Sequence, residues 1–364
     1  MKISFDRNTL MEALSGVSRA VAARSTVPAV EGILCRADDS GVSLAGYDFE
    51  LAITTKIEAE VRQGGAFVLN ARLLCDFVRK ADSDIVLLTV EDSLAATIKC
   101  GQSEMAFSAM PAADFPELPS PSVDTSLTVS CGELKNMIEK TLYAVSQNEQ
   151  KPIYTGSKFF IENNTITVVS VDGNRLALCR RPIISDVDKS FVVPGRTLSE
   201  LAKLLGEEDG EVFINTALRY AVFYLPKYTV TTRLLEGEFM DYKRSIPAET
   251  KTTARFKVRD LMTAVDRASL IITERLKGSI ILNFVDGKTI VTCNTAIGRV
   301  YDEIPTDIKG ESIKIGFNNR YLTDALRNSG CDELVFELVS PVSPVKVHPV
   351  AGDDFLYLLL PVRI

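Results

Sequence analysis

The chain has 364 residues, 46% hydrophobic and 24% charged, with a net charge of −7. That length suggests two or three domains of about 150 residues or less, and the composition is that of a globular protein with a sizeable core. The negative total excludes a uniformly basic nucleic-acid binder, whose pI usually exceeds ~9. A single histidine, His348, excludes any multi-histidine metal centre.

In chain order, Met1–Arg7 has no long apolar core and does not read as a signal peptide. Ile3 and Phe5 alternate as a short strand. Leu10, Leu14, Val17 and Val21 then recur at offsets 0, 4, 7 and 11, one face of a helix over 7–24. Asp48 lies in Gly46-Tyr47-Asp48-Phe49-Glu50-Leu51. Gly64-Gly65 reads as loop. Phe67-Val68-Leu69-Asn70-Ala71-Arg72 leads from a strand into a helix over 72–80, with Leu74 and Phe77 inward. Gly101-Gln102-Ser103-Glu104 reads as loop, and Pro116–Asp124 as a linker with three prolines. Leu127 and Val129 precede a helix over 133–145. Asp172-Gly173 marks a tight turn between apolar runs. Phe191-Val192-Val193-Pro194-Gly195-Arg196 enters a helix over 196–205, and Pro247–Thr253 is a second linker. Ala254 and Phe256 precede a helix over 259–277, and Ile315–Arg320 enters one over 318–327. His348, beside Pro349, reads as an incidental loop residue.

These landmarks repeat. Shifting the first helix face by 124 gives Leu134, Ile138, Thr141 and Val145, and by 251 gives Leu261, Val265, Ala268 and Ile272. The second helix repeats at 124 each time, Asp48 maps onto Asp172, and Phe115 onto Phe239. A period near 120 residues is far above that of a solenoid, so three copies of one α+β domain are expected, each with two helices and short antiparallel strands: 1–118, 124–247 and 253–364. The six helical segments together carry +7, which leaves −14 on the rest. Such a distribution allows a phosphate-attracting face on a chain that otherwise repels polyanions.

Catalytic chemistry finds little support. There is no phosphate-binding glycine loop, dinucleotide fingerprint or nucleophile elbow. The seven cysteines form no C-x-x-C pair and read as buried thiols in a reducing compartment. No cofactor or metal is expected, and no apolar stretch reaches the ~18 residues of a membrane span. A soluble cytoplasmic protein is expected. Asp172-Gly173-Asn174-Arg175-Leu176 reads as a turn or a polar binding loop, with a hydrolase using Asp172 and Arg175 as a remote alternative because no second carboxylate stands nearby in sequence. Phe355–Ile364 stays apolar to the end. It is either a final core strand or, given Pro361, a strand whose last residues leave the sheet and line a partner groove. A cytosolic scaffold that uses such a groove without DNA is a further alternative.

The whole chain resembles the bacterial DNA polymerase III β subunit, the replicative sliding clamp. The resemblance rests on the triple repeat, Pro111-Ala112-Ala113-Asp114-Phe115-Pro116, Asp172-Gly173-Asn174-Arg175-Leu176-Ala177, Phe239-Met240-Asp241-Tyr242 and the ending Leu360-Pro361-Val362-Arg363-Ile364. It implies a non-catalytic processivity factor, associated with the nucleoid. It implies a head-to-tail homodimeric ring around duplex DNA, whose edge residues Met105 and Phe107 meet Leu270 and Ile271. It implies a pocket for linear motifs of the polymerase III alpha subunit, the clamp loader, other polymerases and repair proteins. That pocket would comprise Tyr154, Val171, Gly173, Asn174, Arg175, Leu176, Met240, Arg244, Ser245, Pro344, Leu358, Leu360, Pro361 and Val362. Asn174, Met240 and Val171 depart from the residues usual in the family, which puts motif preference in question. For DNA, the resemblance points to Arg24, Arg72, Arg79, Arg196, the loop around Gln147 and Lys151, and Lys203.

Overall fold

The computed structural model describes residues 1–122, 125–185, 188–206, 210–273 and 278–364. Residues 123 and 124 of the first linker, and 274–277 of the segment expected to be helical, lie outside these. Six α-helices are described: α1 (Arg7–Val17), α2 (Ala71–Lys80), α3 (Cys131–Leu142), α4 (Gly195–Leu204), α5 (Val258–Ser269) and α6 (Asn319–Asn328). Each follows directly on a strand, and at α1, α2, α3 and α6 the last strand residue caps the helix. Asp6 accepts from the Thr9 amide at 2.8 Å, Asn70 from Leu73 at 3.0 Å, and Asn318 from Arg320 at 2.9 Å. These bonds satisfy amides that have no partner inside the helix. At α3, Ser130 accepts from the Glu133 amide at 3.2 Å while its hydroxyl donates back to the Glu133 carboxylate at 3.0 Å.

Several helices are shorter than their apolar periodicity suggests. α1 ends at Val17, a 3-10 turn covers Ser18–Ala20, and Val21 is already extended. Arg19 and Arg24 therefore lie off the helix. Within the observed bounds the six helices sum to +4 rather than +7.

The chain divides into two compact units, Met1–Leu134 with Glu200–Leu234, and Lys135–Ser199 with Leu235–Ile364. The middle repeat thus contributes strands to both. The first unit holds a five-stranded antiparallel sheet with Ser103–Ser108 at one edge, and a nine-stranded sheet. In the latter, strand Leu51–Ile57 pairs with Thr229–Arg233, Thr54 opposite Thr229. The second unit holds another nine-stranded sheet, in which the equivalent strand, Arg175–Pro182, pairs with Phe355–Leu359, Arg175 opposite Leu359. Its four-stranded sheet ends on Gly298–Pro305.

The inward faces of these strands form the cores: Ile3 and Phe5, Leu127 and Val129, Ala254 and Phe256 are all buried. Close packing sets two glycines. A Cβ on Gly46 would lie 2.1 Å from the Val17 carbonyl oxygen, so only glycine lets α1 approach its sheet, and a Cβ on Gly16 would lie 2.1 Å from the Tyr228 ring. Six cysteines are buried and Cys331 is partly so, all as free thiols. His348 is a strand residue, not a loop residue: it sits opposite Val335, with Nε2 3.3 Å from Glu337. The second linker also ends sooner than expected, since Thr252 already opens strand Thr252–Lys257.

Candidate functional site

The second unit carries an apolar groove of about 680 Å³ beside the turn Asp172–Arg175. The turn is built by one carboxylate. Asp172 Oδ1 accepts from the Asn174 amide at 2.9 Å and the Arg175 amide at 3.1 Å, and Gly173 takes a left-handed φ of 90° that a side chain rarely adopts. Arg175 is 4% exposed. Its Nε donates to Asp172 Oδ2 at 2.9 Å and its Nη1 to Asp324 Oδ2 at 2.6 Å. Its guanidinium lies over the rings of Tyr321 and Tyr143, at 4.5 and 5.3 Å. Burial pushes the ionisation of Tyr143 well up, so the ring stays neutral. A buried arginine with two carboxylates and two rings is satisfied and held in one rotamer. The second carboxylate, Asp324, comes from 149 residues away, which is why local sequence showed none. Both carboxylates are committed to the guanidinium, so the arrangement is a rigid wall and offers no free acid and base pair.

The chain terminus forms the opposite wall. Strand Phe355–Leu359 stays in the sheet, then the Leu360 amide donates to the Asn174 carbonyl at 2.9 Å and the Val362 amide to the Gly316 carbonyl at 2.8 Å. Leu360 is 40% exposed. Leu360 therefore lines the groove at the end of the strand, whereas Val362 bridges to Gly316, so the terminus follows the second of the two readings open from sequence at Leu360 alone.

Ten of the expected pocket residues line this groove: Val171, Gly173, Arg175, Leu176, Met240, Arg244, Ser245, Pro344, Leu358 and Leu360. Four do not. Tyr154 packs edge-on against Phe239 at 5.3 Å, behind the floor and against the core that contains Val171, Leu176 and Leu358. Asn174 serves through its carbonyl, and Pro361 and Val362 have already turned toward Gly316. Ile246, Pro247, Ala248, Glu249, Val339 and Ser343 line the groove without having been singled out. The first four follow directly on Ser245, and proline composition had assigned Pro247 to a linker. A larger cavity of about 910 Å³ in the first unit is rimmed by Asp6, Glu12, Glu58, Glu60, Lys56 and Lys227. Its mixed charge is less suited to a specific apolar ligand than a mostly apolar groove with one fixed arginine.

The expected DNA contacts are exposed. In the first unit, Arg24 lies on the loop after Ala20, and Arg72 and Arg79 flank Asp76 on α2 at 3.8 and 3.1 Å. Lys203 binds Glu200 at 2.8 Å, which also takes Arg19 at 2.9 Å. In the second unit, Gln147 and Lys151 are exposed on the loop after α3, and Arg196 on the first turn of α4. Two other basic residues have structural tasks. Arg7 caps the C-terminal end of α2 by donating to the Val78 carbonyl at 3.2 Å. Lys140 is buried and donates to the Ser329 carbonyl, and burial lowers its pKa.

Met105 and Phe107 are half-buried on the edge strand Ser103–Ser108, while Leu270 is 80% exposed and Ile271 half-buried just after α5. Among the described residues, no group of His, Cys, Asp and Glu could hold a metal ion, and no helix is long and apolar enough to cross a membrane.

Comparison with known proteins covers the whole chain. Residues 1–119, 128–241 and 243–363 match the families described as DNA polymerase III beta subunit, N-terminal, central and C-terminal domain. The beta sliding clamps of Halalkalibacterium halodurans and Bacillus subtilis are 31% and 30% identical, each over 100% of both chains. The crystal structure of the Bacillus subtilis sliding clamp superposes with a TM-score of 0.96 at 29% identity, over 100% of this chain and 99% of that one. A Pseudomonas aeruginosa sliding clamp bound to griselimycin gives 0.95 at 27% identity, over 100% of both.

Proposed function

The chain belongs to the DNA polymerase III beta subunit family, and from that membership we propose that it is a sliding clamp: a processivity factor that encircles duplex DNA and tethers the replicative polymerase. The observation that supports this reading is the apolar groove at Leu360, beside the C-terminal tail of a chain with three repeats. Two copies join head to tail through the edges that carry Met105 and Phe107 on one side and Leu270 and Ile271 on the other. The domains run 1–118, 124–247 and 253–364. The protein is an accessory subunit without catalytic activity of its own, and it works in the cytoplasm at the nucleoid.

Enclosure makes weak, sequence-independent contacts sufficient. Arg24, Arg72, Arg79, Gln147, Lys151, Arg196 and Lys203 offer polar and cationic contacts to the duplex without reading its bases. The groove takes apolar side chains of linear motifs from the polymerase III alpha subunit, the clamp loader, other polymerases and repair proteins. Bound there, a polymerase that lets go of the primer end is held at high effective concentration and rebinds it. A hydrolase centred on Asp172 and Arg175 is disfavoured, because both groups are occupied by their ion pairs.

The test is topological. Loaded onto nicked circular DNA by a clamp loader, the protein is retained in gel filtration and released when the circle is linearised. Equal retention on both forms, or a monomer in light scattering at micromolar concentration, overturns the reading. A protein that binds griselimycin but never DNA would be the DNA-independent scaffold instead.

A further inference from the structure

The second helix of each repeat carries an arginine followed four residues later by a carboxylate: Arg72 and Asp76, Arg196 and Glu200, Arg320 and Asp324. On α2 and α6 the two side chains approach to 3.8 Å. In two of the three helices the carboxylate also takes a cation from the preceding repeat. Arg19 reaches Glu200 at 2.9 Å, and Arg175 reaches Asp324 at 2.6 Å. On α6 both arginines address the same oxygen, Asp324 Oδ2, and they differ in exposure: the Arg175 side chain is 4% exposed and that of Arg320 is 65%.

The first repeat supplies an internal control for what Arg175 does. Asp48 builds the same turn, accepting from the Glu50 amide at 3.1 Å and the Leu51 amide at 2.8 Å, and the Arg233 amide donates to the Glu50 carbonyl at 2.9 Å as Leu360 does to Asn174. Leu51 stands there where Arg175 stands in the second repeat. The turn and its tail contact form without an arginine, so the ion pair to Asp324 has a different task. It ties the wall of the groove to α6.

We propose that Arg320 is a further contact for nucleic-acid phosphate, and that through the shared Asp324 oxygen it links phosphate binding to the groove. This rests on the clamp reading of the preceding subsection. A phosphate at Arg320 competes with Asp324 for that guanidinium and draws it away, because the existing contact is long, 3.8 Å, and Arg320 is exposed. The whole of the Asp324 charge then falls to Arg175, and the wall it holds becomes firmer. An occupied groove strengthens the phosphate contact by the same factor, since linkage between two binding equilibria is reciprocal. Asp324 is a positioning residue for the groove and touches no ligand itself.

The experiment uses the full chain, with griselimycin as groove probe and short duplex DNA at low salt as phosphate source. Saturating duplex tightens griselimycin binding to the unaltered protein about two- to fivefold, the scale of one partly exposed ion pair. Arg320→Ala without duplex binds griselimycin as tightly as the unaltered protein does with it, and duplex has no further effect. Two results overturn the linkage: an unchanged griselimycin affinity although both ligands bind, or a duplex effect that persists in Arg320→Ala. If the unaltered protein is also not retained on nicked circles after loading, the clamp reading itself fails, and that outcome is distinguished from failure of the linkage alone.

Discussion

The backbone amide of Leu360 donates to the carbonyl of Asn174 at 2.9 Å, which continues the ladder between Arg175–Pro182 and Phe355–Leu359 by one residue and brings Leu360 to the rim of the groove. Leu358 is buried in the sheet, whereas Leu360, two residues on, is 40% exposed over the groove. On the clamp reading proposed for this chain, griselimycin occupies the groove, and Leu360→Ala should then weaken its binding about tenfold, the scale of losing one apolar anchor. Removing Leu360–Ile364 should abolish it while the dimer persists in light scattering. Unchanged affinity in the truncated protein would place the ligand elsewhere.

Arg175 is a stability prediction as well. Removing one partner of a buried ion pair leaves the other charge uncompensated, at a cost of about 3–5 kcal/mol. Arg175 has two such partners, Asp172 and Asp324. Arg175→Ala should lower the unfolding free energy by about 3 kcal/mol in guanidinium unfolding. The double variant with Asp324→Ala should lose less than the two single changes added together.

Glu200 sets an acid limit on the first unit. Burial opposes its ionisation, but the bonds from Lys203 and Arg19 outweigh this and hold its carboxyl below the ordinary value of 4.5. A carboxyl depressed on folding contributes stability that is fully present above its unfolded pKa and is lost as pH falls through the folded one. Glu200→Gln should melt lower than the unaltered protein at pH 7, and the gap should close below pH about 4.5. A constant gap down to pH 3 would show that the pair contributes nothing through charge.

Two helix glycines should respond oppositely to alanine. A methyl at Gly16 meets the Tyr228 ring, whose hydroxyl is anchored on the Glu12 carbonyl at 2.8 Å. Gly16→Ala should cost about 1–3 kcal/mol by overpacking. A Cβ on Gly132, in the first turn of α3, has nothing within 4 Å, so Gly132→Ala should be neutral or stabilise by up to about 1 kcal/mol. Thermal melts of the two variants check both signs.

The sequence by itself determined the repeat, the strand-then-helix order of each copy and the inward face of each helix. Those are local properties: apolar spacing, a capping Asp or Asn at the strand end, and glycine where φ must be positive. It also determined the turn at Asp172, because an Asx turn needs only three neighbouring residues. Helix ends were read too long, since the periodicity runs on through Val21 after the backbone has become extended at the 3-10 turn. Only the tertiary structure decided what the polar residues do. Asp324 meets Arg175 from a distant helix, Lys140 is buried against Ser329, and Arg7 closes the end of α2, and no spacing rule predicts contacts that depend on how elements pack. The segment 247–253 looked like a linker by composition, yet Pro247, Ala248 and Glu249 line the groove, because a proline's fixed φ serves a rigid wall as well as a hinge. The fold was written in periodicities of a few residues, whereas the groove is assembled from four stretches of chain between Val171 and Leu360 that only packing brings together.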